Sequence, residues 1–191
     1  MSKLGIDIVD LADPKLKERD DRSLKLIQNE NDSIISHKNV FWLLWSAKEA
    51  VFKARREASN FIPTEIPISI VQQNKSFLFH CQDFHGHFEI NESYICAVCA
   101  EDLSAIDYEV FHSKEISDSV LTRRSIERFF TDKKIDVSIG SDSLNLPIII
   151  PGNRNISISH HNNWSAFAFP RSLFEASLGD INADEFNDRF K

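Results

Sequence analysis

Between residues 40 and 56 the apolar positions Val40, Phe41, Trp42, Leu44, Trp45, Val51 and Phe52 fall on one broad arc of a helix turning about 100° per residue. The spacing predicts an amphipathic helix over 41–56, buried along one side. Ahead of it, residues 4–11 (LGIDIVDL) form a short apolar run with two aspartates embedded, which reads as a strand. Asp13-Pro14 opens a turn. Residues 15–28 then interleave lysine and arginine with aspartate and glutamate, the pattern of a solvated helix. Ile62-Pro63 and Pro67 bracket a break, and β-type runs follow at 66–72, 76–81 and 94–100. Acidic, irregular sequence at 101–107 marks a boundary. The second half repeats the programme: a helix over 114–130, strands at 135–139 and 147–150, and a final strand over 155–169 interrupted by His160-His161-Asn162-Asn163. Residues 170–191 read as an amphipathic helix packed on the body. Strands segregated from helices in both halves predict an α+β fold.

Composition narrows the setting. A chain of 191 residues that is 42% hydrophobic has the length and apolar content of one ordinary domain, or of two small ones sharing a core. The net charge of −7 argues against a general nucleic-acid binder, which carries a basic stripe. No apolar run approaches the roughly 18 residues of a membrane span, and MSKLGIDIVD lacks a signal-peptide layout, so a cytoplasmic location is expected. Three cysteines, an odd number, are no disulfide framework. Cys96 and Cys99 sit inside an apolar run with no second pair, and read as buried strand residues rather than zinc ligands.

Four positions resist a purely structural reading. Asp7 lies between Ile6 and Ile8 in a predicted strand, where a carboxylate needs hydrogen bonds, a cation or a solvent-facing side. Glu49 stands at the edge of the aromatic arc, in an i, i+4, i+8 row with Trp45 and Lys53. An ordinary helix-flank ion pair is the plain alternative for Glu49 and Lys53. Ser159-His160 offers a hydroxyl and an imidazole to an anion, or else is the polar centre of a hairpin. No strained Gly-x-Ser-x-Gly elbow surrounds Ser159 to support a nucleophile there.

Three stretches taken together carry a resemblance: Gly5-Ile6-Asp7-Ile8, Trp45-Ser46-Ala47-Lys48-Glu49-Ala50 with Lys53, and Ser157-Ile158-Ser159-His160. They resemble the three motifs of the 4′-phosphopantetheinyl transferase superfamily. The Gly-Ile-Asp half leads, as in the short trimeric holo-acyl-carrier-protein synthases, so the halves run in permuted order relative to the larger surfactin-synthetase-activating type. The resemblance implies a monomeric pseudo-two-fold pair of lobes, each a small antiparallel sheet packed against a long helix. The first lobe, 1–110, would be the magnesium and diphosphate side; the second, 111–191, would be the nucleotide side. It further implies transfer of the phosphopantetheine arm of coenzyme A to a serine of an acyl or peptidyl carrier protein, with release of adenosine 3′,5′-bisphosphate. By this resemblance Asp7 and Glu49 are Mg²⁺ ligands, Glu49 can accept the serine proton, and Lys53, with Lys48 assisting, holds the diphosphate. Ser159, His160, Lys114 and Arg123 fall on the nucleotide end. Lys15, Lys17, Arg19, Arg22 and Lys25 correspond to a carrier-binding basic helix, or form a solvated helix of mixed charge.

Two departures from the pattern keep a second function open. Val9 stands where the larger type has a further acidic residue, and Asn145-Leu146-Pro147 stands where Gly-Lys-Pro is usual. The alternatives are a degenerate module that binds coenzyme A or a carrier protein without transfer, and a different Mg²⁺-dependent enzyme acting on nucleotide diphosphates.

Overall fold

The structure is a computed structural model and describes residues 3–16, 19–113 and 118–174. Its elements follow the chain as β1 (Leu4–Asp10), α1 (Asp21–Ile27), α2 (Val40–Arg55), β2 (Ser69–Gln73), β3 (Ser76–Cys81), β4 (Phe84–Ile90), β5 (Tyr94–Ala100), β6 (Ile106–His112), α3 (Ser119–Asp132), β7 (Ser138–Ser141), β8 (Pro147–Ile150), β9 (Arg154–Asn155), β10 (Ser157–His161) and β11 (Trp164–Pro170). One antiparallel sheet has the order β1-β5-β4-β3-β2, a second β10-β11-β6, and a small third β7-β8-β9. The fold is α+β. Sheet membership changes across the short 3-10 turn Leu103–Ala105.

Every residue of β1 is buried, because the strand has a neighbour on both faces and both edges. Leu4, Ile6 and Ile8 turn toward the second sheet and meet Ala166 and Ala168 of β11. Gly5 turns the other way, against α2. A methyl group there would stand 1.9 Å from the carbonyl oxygen of Ala50, so only glycine lets the helix settle this close. The helix answers with Ala47, Ala50 and Ala54, all fully buried. On the outer face of the second sheet, Ile126 and Phe130 of α3 pack on Phe167 and Phe169 of β11. The result is four layers: α2, the five-stranded sheet, the second sheet, and α3.

The free edge of β1 is closed without a backbone ladder. The N–H groups of Ile6, Ile8 and Asp10 donate to Ser157 Oγ at 3.0 Å, Ser159 Oγ at 3.3 Å and His161 Nδ1 at 3.2 Å. Alternate residues of β10 thus serve alternate residues of β1, both strands running the same way. An edge that would otherwise leave buried donors unpaired is satisfied by side chains from the second sheet. With Nδ1 accepting, the His161 proton sits on Nε2, 3.2 Å from Asp13 Oδ2.

Several elements depart from the pattern-based expectation. Of the helix expected over 15–28, the described residues form Asp21–Ile27, where Asp20 caps the helix by accepting from Ser23 N at 2.8 Å; earlier, Asp13 folds residues 13–16 into a turn. The strand Phe84–Ile90 hides behind a glycine and two histidines. Its inward residues are Phe84, Gly86 and Phe88, and the ring of Phe79 occupies the space a Gly86 side chain would need. Ile106–His112 is a strand whose charged residues face outward, not a continuation of the boundary. His160 and His161 belong to β10, so only Asn162-Asn163 makes the hairpin turn, with Asn162 in the left-handed region at φ 51°. The helix expected over 114–130 begins at Ser119, capped by Asp118. Residues 175–191, most of the expected C-terminal helix, lie outside the described residues.

Cys96 faces the second sheet and Cys99 faces α2, so this pair cannot serve one ligand. Both are buried and free, as is Cys81.

Gly5→Ala is expected to cost about 3 kcal/mol or more, since relief of the clash requires α2 to withdraw from β1. Urea denaturation of the two proteins measures the difference.

Candidate active site

The α2 side of β1 carries Gly5, Asp7 and Val9 in alternation, so Asp7 meets the helix two residues beyond the close contact at Gly5. One turn apart on α2, Glu49 and Lys53 face it. Lys53 Nζ lies 2.8 Å from Asp7 Oδ1 and 3.1 Å from Glu49 Oε1. From the far side of the seam, Ser159 Oγ donates to Asp7 Oδ1 at 2.8 Å. Trp45 Nε1 donates to Glu49 Oε2 at 3.0 Å, completing the predicted Trp45, Glu49, Lys53 row. Three elements therefore converge on one pair of carboxylates.

The two carboxylates titrate differently because one is more deeply buried. Burial pushes Asp7 up to about 7; the Lys53 charge opposes this and the Glu49 charge adds to it. Burial also pushes Glu49 up, but the Lys53 charge, with hydrogen bonds from Lys53 and Trp45, outweighs it and holds Glu49 below its ordinary range. Burial works to lower Lys53, yet both carboxylates hold it above the usual lysine value. At neutral pH the site has an ionised Glu49, a charged Lys53 and an Asp7 near half-ionisation.

His160 points away from the seam and is exposed. Partial burial and the Lys53 charge lower its pKa, against an opposing pull from Asp118. The imidazole is accordingly neutral near pH 7, and a bound anion would favour its charged form. Beside Lys53, a cavity of about 180 Å³ is lined by Phe52, Arg56, Leu146, Pro147 and Ile158. A wider cleft of about 850 Å³ opens at the start of α2, with Leu11, Arg19, Phe41 and Trp42 on its wall and Arg19 stacked over both rings at 5.2 and 5.3 Å.

Three expected site residues are placed otherwise. Lys48 is fully buried away from the cluster, its ammonium 2.8 Å from Asp32 and donating to the carbonyls of Pro63 and Ile66. Four acceptor atoms around one buried ammonium make it a fastener for the loops flanking α2, with nothing left for a diphosphate. Arg123 donates to the carbonyls of Ile139 and Gly140 and pins α3 to β7. The Ser159 hydroxyl is turned to Asp7 rather than outward. Lys114 lies outside the described residues, as does Lys17.

Sequence reasoning missed Ser157 and His161, whose role appears only when β1 and β10 are adjacent. It also missed Arg56, which adopts φ 53° at the end of α2 and reaches Asp142 at 2.6 Å and the carbonyl of Pro147 at 3.2 Å. Arg56 thereby ties the helix to the β7–β8 turn. The second basic residue after Lys53 was the only available signal.

Asp7 and Glu49 fit Mg²⁺ to the extent that two carboxylate oxygens already converge on a single cationic group. Mg²⁺ typically takes one or two carboxylates together with phosphate oxygens and water. Among the described residues Val9 and Asp10 supply no third acidic ligand: Val9 is apolar and buried, and the oxygens of Asp10 accept from Ala12 N and Asn162. Among the described residues no group of three or more His, Cys, Asp or Glu could hold a metal ion.

The raised Asp7 pKa has a stability consequence. Between about pH 4 and 7 the folded protein holds a proton that the unfolded chain has released, so Asp7 makes stability fall as pH rises through that window. Asp7→Asn is expected to remove this part of the decline, leaving the variant less destabilised relative to wild type at pH 8 than at pH 5. Urea denaturation in a chelating buffer at the two pH values reads it.

No curated protein and no solved structure matches the chain. The family model for the 4′-phosphopantetheinyl transferase superfamily matches residues 3–99, just over half of the sequence, and this span contains Asp7, Glu49 and Lys53. By that match the chain belongs to the 4′-phosphopantetheinyl transferase superfamily.

Proposed function

We propose that the protein transfers the 4′-phosphopantetheine arm of coenzyme A to a serine of an acyl or peptidyl carrier protein. The observation that carries the reading is the meeting of Asp7 and Glu49, from separate elements, on the one ammonium of Lys53 at 2.8 and 3.1 Å. The carrier serine oxygen bonds to the phosphorus attached to pantetheine, and the bond from that phosphorus to the bridging oxygen breaks. Adenosine 3′,5′-bisphosphate leaves with the bridging electron pair. Glu49, ionised at neutral pH, receives the serine proton directly or through water. Lys53 retains its charge and stabilises the negative charge that grows on the leaving phosphate. Asp7 and Glu49 would hold Mg²⁺, which when bound supplies neutralisation of the diphosphate. His160 meets the nucleotide end, where the 3′-phosphate favours its imidazolium form.

The same reading takes the protein as a cytoplasmic monomer in which residues 1–110 and 111–191 act as a pseudo-dimer, except that β6 (Ile106–His112) already belongs to the second sheet, with the site where β1 and α2 meet β10. Among the described residues no helix is long and apolar enough to cross a membrane. Acidic carriers are gathered by Arg19, Arg22 and Lys25; of these Arg19 lines the wide cleft, together with Lys38, Asp20 and Glu92. A binding-only module is the second reading, favoured by the apolar Val9 and Leu146 where acidic and basic groups would assist.

Incubation with coenzyme A, Mg²⁺ and a panel of apo carrier proteins is expected to add the phosphopantetheine mass to at least one carrier, and chelation to abolish it. Coenzyme A binding with no carrier modified would establish the binding-only module. Glu49→Gln keeps the shape and loses the base, and is expected to lower the transfer rate by about two to four orders of magnitude. Mass spectrometry of the carrier follows both.

A further inference from the structure

We propose that Ser159 is a positioning residue for Asp7 rather than a contact for the nucleotide, so that the second sheet orients the acidic site of the first. The inference rests on the cation-site reading given above. A serine hydroxyl has one proton to donate and two lone pairs to accept with. At Ser159 the proton points to Asp7 Oδ1 at 2.8 Å, while the oxygen accepts from Ile8 N–H at 3.3 Å. A phosphate offers acceptors almost exclusively, and Ser159 has no second proton to give it. The residue is also only 6% exposed.

The rungs on either side fix this orientation. Ser157 and His161 take the N–H groups of Ile6 and Asp10, which sets β10 in register with β1 and puts Ser159 opposite Asp7. A slip of one residue would turn Ile158 or His160 toward the seam and leave Asp7 with Lys53 alone. Along β10, Ser159 faces the carboxylate, whereas His160 faces outward and is exposed. The two residues of the Ser-His pair therefore divide the work: one holds the acid, and the other is free to meet an anion. Outer hydrogen bonds of this kind orient a ligating carboxylate and affect metal affinity by about 10- to 100-fold.

The test uses Mn²⁺ in place of Mg²⁺ at saturating coenzyme A, with bound metal counted by electron paramagnetic resonance, on full-length wild type, Ser159→Ala and Ser159→Thr. Adenosine 3′,5′-bisphosphate binding is measured separately by calorimetry in chelator. Ser159→Ala is expected to weaken Mn²⁺ binding about tenfold, Ser159→Thr to restore most of it, and both to bind the bisphosphate within about twofold of wild type. Loss of bisphosphate affinity with Mn²⁺ binding unchanged would overturn the assignment and make Ser159 a nucleotide contact. If Ser159→Ala does not fold, Ser159→Cys, which retains an acceptor but donates weakly, is held to the same two outcomes. A wild type that binds Mn²⁺ but modifies no carrier would refute the transferase reading, while the Ser159 comparison still decides this one. A wild type that binds no Mn²⁺ would overturn the inference together with the cation site it rests on.

Discussion

Two carboxylates set side by side in a buried seam repel each other, and the site exists because Lys53 stands between them. Removing charges from water is costly unless partners replace the lost hydration. Here the ammonium reaches one oxygen of each acid at 2.8 and 3.1 Å, and Ser159 and Trp45 add one hydrogen bond apiece. The charges remain unevenly satisfied. Asp7, the more buried, is pushed up to about 7, whereas Glu49 is held low. This uneven balance distinguishes the cluster from the Lys48–Asp32 pair. That pair is closed on all sides by protein acceptors and donors and serves to fasten the loops around α2.

The cluster depends in turn on how closely the layers approach. Gly5 and the alanines of α2 bring helix and strand near enough for Glu49 and Lys53 to reach the Asp7 side chain. On the other edge, β10 approaches through side-chain rungs, not through a shared backbone ladder. This kind of seam costs the sheet a regular pairing but gives each rung a chemical identity. Serine at the middle rung supplies a proton as well as an acceptor, and an ordinary backbone carbonyl in its place could only accept. Arg56 adds a second tie across the same seam through Asp142 and Pro147.

Much of this is legible in the sequence, and the exceptions have physical reasons. The helix over 40–55 and the strand over 4–10 declare themselves through periodicity, and Asp7 and Glu49 stand out because each breaks the local pattern. Lys53 follows from helical spacing alone. β4 is obscured because its inward glycine makes room for a phenylalanine from the neighbouring strand, a fact no local window contains. Lys48 and Lys53 are equally plausible as phosphate ligands in one dimension, and only the fold reveals that Lys48 turns toward Asp32. Ser159 is recognisable as part of a motif, but its partner lies 152 residues away, so the direction of its hydroxyl requires the assembled seam.

The central claim is that Asp7 and Glu49, held together by Lys53 in the free protein, form the metal site once coenzyme A is present. A crystal of the protein grown with coenzyme A and Mn²⁺ addresses it through anomalous scattering. The account predicts one Mn²⁺ bound by an oxygen of Asp7, an oxygen of Glu49 and the coenzyme A diphosphate, with Lys53 moved from between the carboxylates toward the phosphate. Coenzyme A bound with its diphosphate away from Asp7 and Glu49, or Mn²⁺ held by other residues, would contradict it.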